Sequence, residues 1–213
     1  MSKPLLALTY DDGPTKHTPR VLDALEKYGI NATFFVEGRY IKGNEDILKR
    51  SYKMGNEILP HAWNHPDLRQ LTSDAIKKQI LDTAELINET LGLGDKPINL
   101  YRPPYGYFDN AVLKASEEID YSLINWSIDT LDWENKNPDI IFERTMKWLH
   151  DGAIILCHDA FDSTGEATER IIPVLMEKYQ FVTISELLSG LTIKPGRLYD
   201  NGSDEIRLEW HRY

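Results

Sequence analysis

Short apolar runs alternate with amphipathic stretches along almost the whole chain. Leu5 to Tyr10 reads as a buried strand, and Thr18 to Tyr28 as a helix that Pro19 opens and Gly29 closes. Ala32 to Val36 is a second strand run, Glu45 to Met54 a helix closed by Gly55, and Glu57 to Leu59 a brief strand that enters a polar loop. Thr72 to Leu91 carries the clearest helical period, with Ile76, Ile80, Ala84 and Ile87 on one face and Thr72 and Ser73 supplying caps. The alternation continues with Asn99 to Tyr101, Tyr121 to Ser127, Ala153 to Cys157 and Phe181 to Thr183 as strands. Between and after them, Asn110 to Glu118, Pro138 to His150, Glu166 to Lys178 and Ser185 to Ser189 read as helices. This order predicts an α/β fold with a parallel sheet.

Composition narrows the picture without deciding it. The 213 residues, 41% of them apolar, suit one domain, expected over residues 1–193 because no linker or charge block divides the chain. Residues 194–213 are expected as a C-terminal extension, either a hairpin about Asn201-Gly202 or an unstructured end. No apolar run is long enough to span a membrane, and a formal net charge of -10 argues against a nucleic-acid partner. The single cysteine, Cys157, precludes an intrachain disulfide and reads as a buried structural thiol. Met1 to Pro4 leads straight into a strand run too short for a secretory leader. The sequence as written is therefore expected to be cytoplasmic, or extracellular or cell-wall associated if a leader has been removed. Composition leaves the oligomeric state open.

Polar clusters follow successive strand candidates. Asp11-Asp12-Gly13-Pro14 places two adjacent carboxylates at the end of the first run, where they are costly unless a cation or substrate stabilises them. A plain turn or an Asp helix cap is the alternative for that tetrapeptide. His61 and His65 lie in a loop flanked by Pro60 and Pro66, and with Asp12 they make a two-histidine, one-carboxylate donor set suited to a transition metal. Alone, the pair reads equally as surface or core histidines. Arg102-Pro103-Pro104-Tyr105-Gly106 offers an arginine able to grip a carboxylate and, at Tyr105, an amide able to meet an oxyanion; a surface turn is its plain reading. Asp129-Thr130-Leu131-Asp132-Trp133 and His158-Asp159 complete the series, with Asp132 a candidate loop orienter and Asp159 a candidate cap. Polar clusters at the ends of five different strands converge only if the sheet closes, which favours a barrel over an open sheet.

These clusters resemble the polysaccharide deacetylases of the NodB-homology type, also called carbohydrate esterase family 4. The resemblance rests on Thr9 to Pro14, His61 to Pro66, Arg102 to Gly106, Asp129 to Trp133 and Ile154 to His158, in the family's order over most of the chain. It implies a distorted (β/α) barrel of about seven parallel strands and hydrolysis of acetyl groups on a sugar polymer or oligomer. It also implies one divalent transition metal, zinc first, with cobalt or nickel as alternatives. By resemblance Asp12, His61 and His65 bind the metal, Asp11 is the general base and His158 the acid. Arg102 orients Asp11, Asp129 pairs with His158, the Tyr105 amide meets the oxyanion, and Trp133 and Leu156 line the acetyl pocket. Trp63 and Tyr107 read either as sugar contacts or as core. Three positions depart from the family pattern: Tyr10 where phenylalanine is usual, Ala62 where serine or threonine is common, and Pro60 where asparagine is common. They bear on the support of the histidine loop rather than on its ligands.

The expected partner is an acetylated oligo- or polysaccharide, an N-acetylglucosamine-containing glycan or acetylxylan, and the motifs serve both. Two rival readings share the residues. A non-haem iron oxygenase uses the same facial donor set, but Asp11, Arg102 and His158 are what hydrolysis needs. A glycan-binding homologue with impaired catalysis is the non-enzyme alternative, to which the altered histidine loop lends weight.

Overall fold

Strand β1 (Leu5–Gly13) sits between two layers, and its alternation shows how. Leu6, Leu8 and Tyr10 face one core, Ala7 and Thr9 face the other way, and all five are fully buried. The computed structural model describes residues 2–94 and 98–202. After β1 come α1 (Thr18–Tyr28), β2 (Thr33–Val36), α2 (Gly38–Ile41), α3 (Glu45–Lys53), β3 (Glu57–Pro60) and α4 (Ser73–Leu91). Then follow β4 (Leu100–Tyr101), α5 (Asn110–Glu117), β5 (Ser122–Ile124), β6 (Ile128–Asp129), α6 (Asp132–Asn135) and α7 (Pro138–Lys147). The described chain closes with β7 (Ala153–His158), α8 (Asp162–Leu175), β8 (Gln180–Phe181), α9 (Ile184–Leu187) and β9 (Leu198–Tyr199).

All ladders between these strands are parallel, as the alternation of strand and helix requires. One sheet runs β3-β2-β1-β7-β6, with β8 beside the first residues of β1; the other runs β4-β5-β9. Apolar side chains of β1, β2 and β7 meet α1 and α8 in the outer layer, while Ala7, Phe35, Leu59, Leu100, Ile124 and Ile154 pack between the two sheets. Burial of such side chains, at about 1.5–3 kcal/mol each, is the main stabilising term of the fold. The long helix α4 buries Ile76, Ile80 and Ile87 and is capped by the Thr72 hydroxyl, as its period predicts. No helix among the described residues is long and apolar enough to cross a membrane.

The structure redraws several boundaries. A continuous ring of ladder hydrogen bonds is absent among the described residues: β3 meets the end of β4 through one bond, Arg102 N–H to the Pro60 carbonyl at 3.1 Å. The strand expected at Tyr121 to Ser127 shortens to β5, which pairs with β4 and β9, and beyond it a further strand, β6, pairs with β7. Helix α8 begins at Asp162, before the expected start at Glu166. Gly165 lets its first turn approach α1, since a Cβ there would lie 2.8 Å from Cγ and Cδ of Arg20. Within the expected extension, Leu198–Tyr199 forms β9 beside β5, and Asn201 bridges Ala153. The far arm of the hairpin expected at Asn201-Gly202 lies outside the described residues. Cys157 is buried and unpaired with another cysteine, and the Tyr10 hydroxyl finds Thr168 Oγ1 at 2.9 Å.

Candidate active site

Two adjacent residues of a regular strand point to opposite faces. Asp11 and Asp12 escape this rule because β1 slips register against β2 between Asp11 and Gly13, and Asp12 takes a positive φ of 74°. The bulge re-aims the second carboxylate. Asp11 stays in register, opposite Phe35 on one side and His158 on the other. β1 thus runs through both acids to Gly13, a strand end rather than the alternative plain turn.

Asp12, His61 and His65 bring one donor atom each to within 4.8 Å of one another. His61 Nε2 and His65 Nε2 each lie 3.6 Å from Asp12 Oδ1, which is buried and has no hydrogen bond. A buried, unpartnered carboxylate oxygen facing two imidazoles is costly by itself and is the arrangement a divalent cation satisfies. His61 Nδ1 bonds the Arg102 carbonyl at 2.8 Å, which makes Nδ1 the protonated nitrogen and leaves Nε2 free as a ligand. Burial lowers His65 and holds His61 down to about 3, so both rings are neutral donors near pH 7. Two imidazole nitrogens and one carboxylate suit zinc, cobalt or nickel better than calcium or magnesium.

Arg102 joins the two sheets. Fully buried, it donates through Nη1 to Asp11 Oδ1 at 2.7 Å and Thr9 Oγ1 at 2.8 Å. Nε and Nη2 donate to the carbonyls of Ile124 and Asn125, and the guanidinium lies 4.0 Å from the Phe35 ring centroid. The grip on Asp11 is single, not forked, because the other nitrogens serve backbone carbonyls. Burial pushes the Asp11 carboxyl up from its ordinary value, and the charge and hydrogen bond of Arg102 oppose that rise. With Oδ1 held, Oδ2 is left facing His61 Nε2 at 3.6 Å.

His158 ends β7, and its partner differs from the expected one. Asp132 Oδ1, not Asp129, meets His158 Nδ1 at 2.7 Å, while Asp132 Oδ2 accepts from the His158 N–H and from Thr164 Oγ1, each at 2.7 Å. Asp129 is turned away and accepts from the Leu131 N–H at 2.8 Å. Leu131 has φ 51°, and this left-handed residue reverses the chain so that Asp132 opens α6 toward β7. Burial opposes the charged imidazole, yet attraction and hydrogen bonding from Asp132, with Asp12 and Asp11 beyond, raise His158 to about 9. Asp159 is also buried, and burial pushes it up to about 7 despite the Thr18 hydroxyl on Oδ2.

The rim residues fall around this centre. Tyr105, at φ 61° and 54% exposed, sets its ring 4.4 Å from that of His65. The flanking N–H groups of Gly106 and Tyr107 bond the Pro103 and Pro104 carbonyls, while that of Tyr105 has no acceptor among the described residues. Trp133 follows Asp132 and is half-exposed; Leu156 is buried on the β7 face shared with Ile154 and His158. Motif reading missed Gln79 on α4, which bonds the histidine loop, and undervalued Asp132. A second acid within reach of the same histidine was the available signal for Asp132; nothing in the sequence singles out Gln79.

The chain belongs to the polysaccharide deacetylase family, whose model matches residues 1–124. It is 35% identical to the peptidoglycan-N-acetylglucosamine deacetylase PgdA of Listeria monocytogenes over 93% of this chain, and it spans 42% of that relative's length. A T48 deacetylase solved with substrate superposes with a TM-score of 0.87 at 33% identity, covering 93% of this chain and 97% of the other. A family 4 acetyl xylan esterase from Clostridium thermocellum, solved in complex with a cobalt ion, gives 0.85 at 32% identity over 92% and 98%.

Proposed function

We propose that the chain is a metal-dependent hydrolase that removes acetyl groups from a glycan, with an N-acetylglucosamine-containing glycan placed ahead of acetylxylan. The peptidoglycan relative supports the first substrate and the xylan esterase neighbour keeps the second. The observation that carries the reading is the pairing of opposites across β1 and β7: Asp11, tied to Arg102, sits in register with His158, tied to Asp132. A carboxylate base and an imidazolium acid beside one donor cluster form the acid–base division that acyl hydrolysis needs. An oxygenase with the same donor set has no use for it.

Asp12, His61 and His65 hold the metal in this reading. When bound, the ion supplies Lewis acidity toward the acetyl carbonyl and lowers the pKa of water. Asp11 Oδ2, the oxygen that Arg102 leaves free, takes the proton of the attacking water. The Tyr105 N–H donates to the oxyanion that forms on the carbonyl. His158 Nε2–H, aimed by the Nδ1–H bond to Asp132, gives its proton to the departing amine or alkoxide. Acetate leaves, and proton transfer between Asp11 and His158 through solvent restores both groups. Trp133 and Leu156 exclude water around the acetyl methyl.

Acetate release from acetylated chitooligosaccharides, peptidoglycan and acetylxylan tests the proposal, with Asp11→Asn as control. Release from zinc- or cobalt-loaded protein and a loss of about 10²-fold or more in Asp11→Asn that still binds metal are expected. Undiminished turnover in that variant rejects Asp11 as base. Binding of a glycan without acetate release from any of the three rejects the hydrolase and leaves the glycan-binding reading.

A further inference from the structure

His61 and His65 are supported unequally. His61 has the Arg102 carbonyl on Nδ1, whereas the His65 ring makes no hydrogen bond among the described residues. The loop between them lacks a hydroxyl at Ala62, and both Ala62 and His65 have positive φ, at 65° and 59°. Non-glycine residues in that conformation persist only where their surroundings hold them.

Two contacts do so. Gln79, one residue before the buried Ile80 on α4, accepts from the Trp63 N–H at 2.8 Å and the Asn64 N–H at 3.3 Å through one oxygen. Its Nε2 donates to Asn64 Oδ1 at 2.9 Å. One carboxamide thus satisfies two successive amides of the histidine loop and pins the side chain between them. The second contact is the Tyr105 ring against His65. Tyr105 is itself backed by Tyr107, whose ring lies 5.5 Å away and carries the Arg69 guanidinium at 4.1 Å. Asp67 fixes that guanidinium with bonds of 2.9 and 2.7 Å.

We infer that Gln79 and Tyr105 are positioning residues for the metal ligand His65: Gln79 fixes the loop backbone, and the Tyr105 ring fixes the imidazole. The inference rests on the metal reading above, and its test separates the two. Zinc affinity of the full chain is measured by competition with a chromophoric chelator, and the visible absorption of the cobalt-loaded protein reports ligand geometry. Gln79→Ala and Tyr105→Ala are expected to weaken zinc about tenfold or more and to shift the cobalt bands. Gln79→Glu keeps the acceptor oxygen and Tyr105→Phe keeps the ring, so both stay within about threefold of the wild type. Wild-type affinity and spectrum in both alanine variants overturn the inference. Should Gln79→Ala fail to fold, Gln79→Met, which keeps helix propensity and loses the hydrogen bonds, is read by the same criteria. A wild-type chain that binds no zinc refutes the metal reading instead, a different result.

Discussion

At the residue scale, the acid end of the site depends on which aspartate faces His158. Under the mechanism proposed above, with protonated His158 as the acid, activity is expected to fall as pH rises through its pKa of about 9. Asp132→Asn is expected to bring that pKa down toward the ordinary value near 6.5 and to move the alkaline limb of the pH–rate profile the same way. Asp129→Asn leaves both nearly in place, and NMR titration of the imidazole distinguishes the two. The motif carried both acids within three residues of one another, but only the left-handed turn at Leu131 decides between them. No local pattern of residue types announces a positive φ at leucine. Asp12, His61 and His65 were legible because metal chemistry restricts residue type itself. Arg102 was legible as a partner of Asp11, though its bonds to the Ile124 and Asn125 carbonyls were not. Arg102→Ala strands a buried carboxylate and is expected to cost about 3–5 kcal/mol in urea unfolding, with Arg102→Met cheaper for its retained volume.

At the element scale, the end of β1 is a close fit between strand and neighbouring loop. A Cβ on Gly13 would stand 2.3 Å from Asp159 Oδ2, and Asp159 is fully buried behind it. Gly13→Ala is therefore expected to destabilise by about 1–3 kcal/mol, and adding Asp159→Ser to recover part of the loss, measured as a double-mutant cycle by urea unfolding. Elements with strong periodicity, such as α1 and α4, followed from the sequence nearly to the residue. Elements set by distant packing did not. The first turn of α8 packs against Arg20 and pairs Asp162 with its guanidinium, and β5 and β6 join different sheets. Both are facts of tertiary structure that a local window does not contain.

At the scale of the whole molecule, the proposed metal ligands come from the ends of two strands far apart in sequence, β1 and β3, so binding of the ion would be linked to folding. Removing the ion with a chelator is expected to lower the thermal midpoint, and zinc at about a hundred times its dissociation constant to restore about 2.7 kcal/mol, read by calorimetry. The parallel α/β fold was legible in the sequence from the alternation of strand and helix runs. Its seam between β3 and β4, crossed by the backbone bond from Arg102 to Pro60 and by the His61 ring on the Arg102 carbonyl, was not, since β4 is only two residues long. That seam gives the protein a clock. An excursion that parted the sheets there would release the Arg102 amide to solvent, and that amide is expected to exchange its hydrogen earlier than the amides of the β1–β7 ladder. The same excursion frees the proton acceptor from its guanidinium and the His61 ring from its carbonyl at once. On the proposed reading, ion loss and loss of the base Asp11 would share one opening step, and amide exchange at Arg102 would measure how often it occurs.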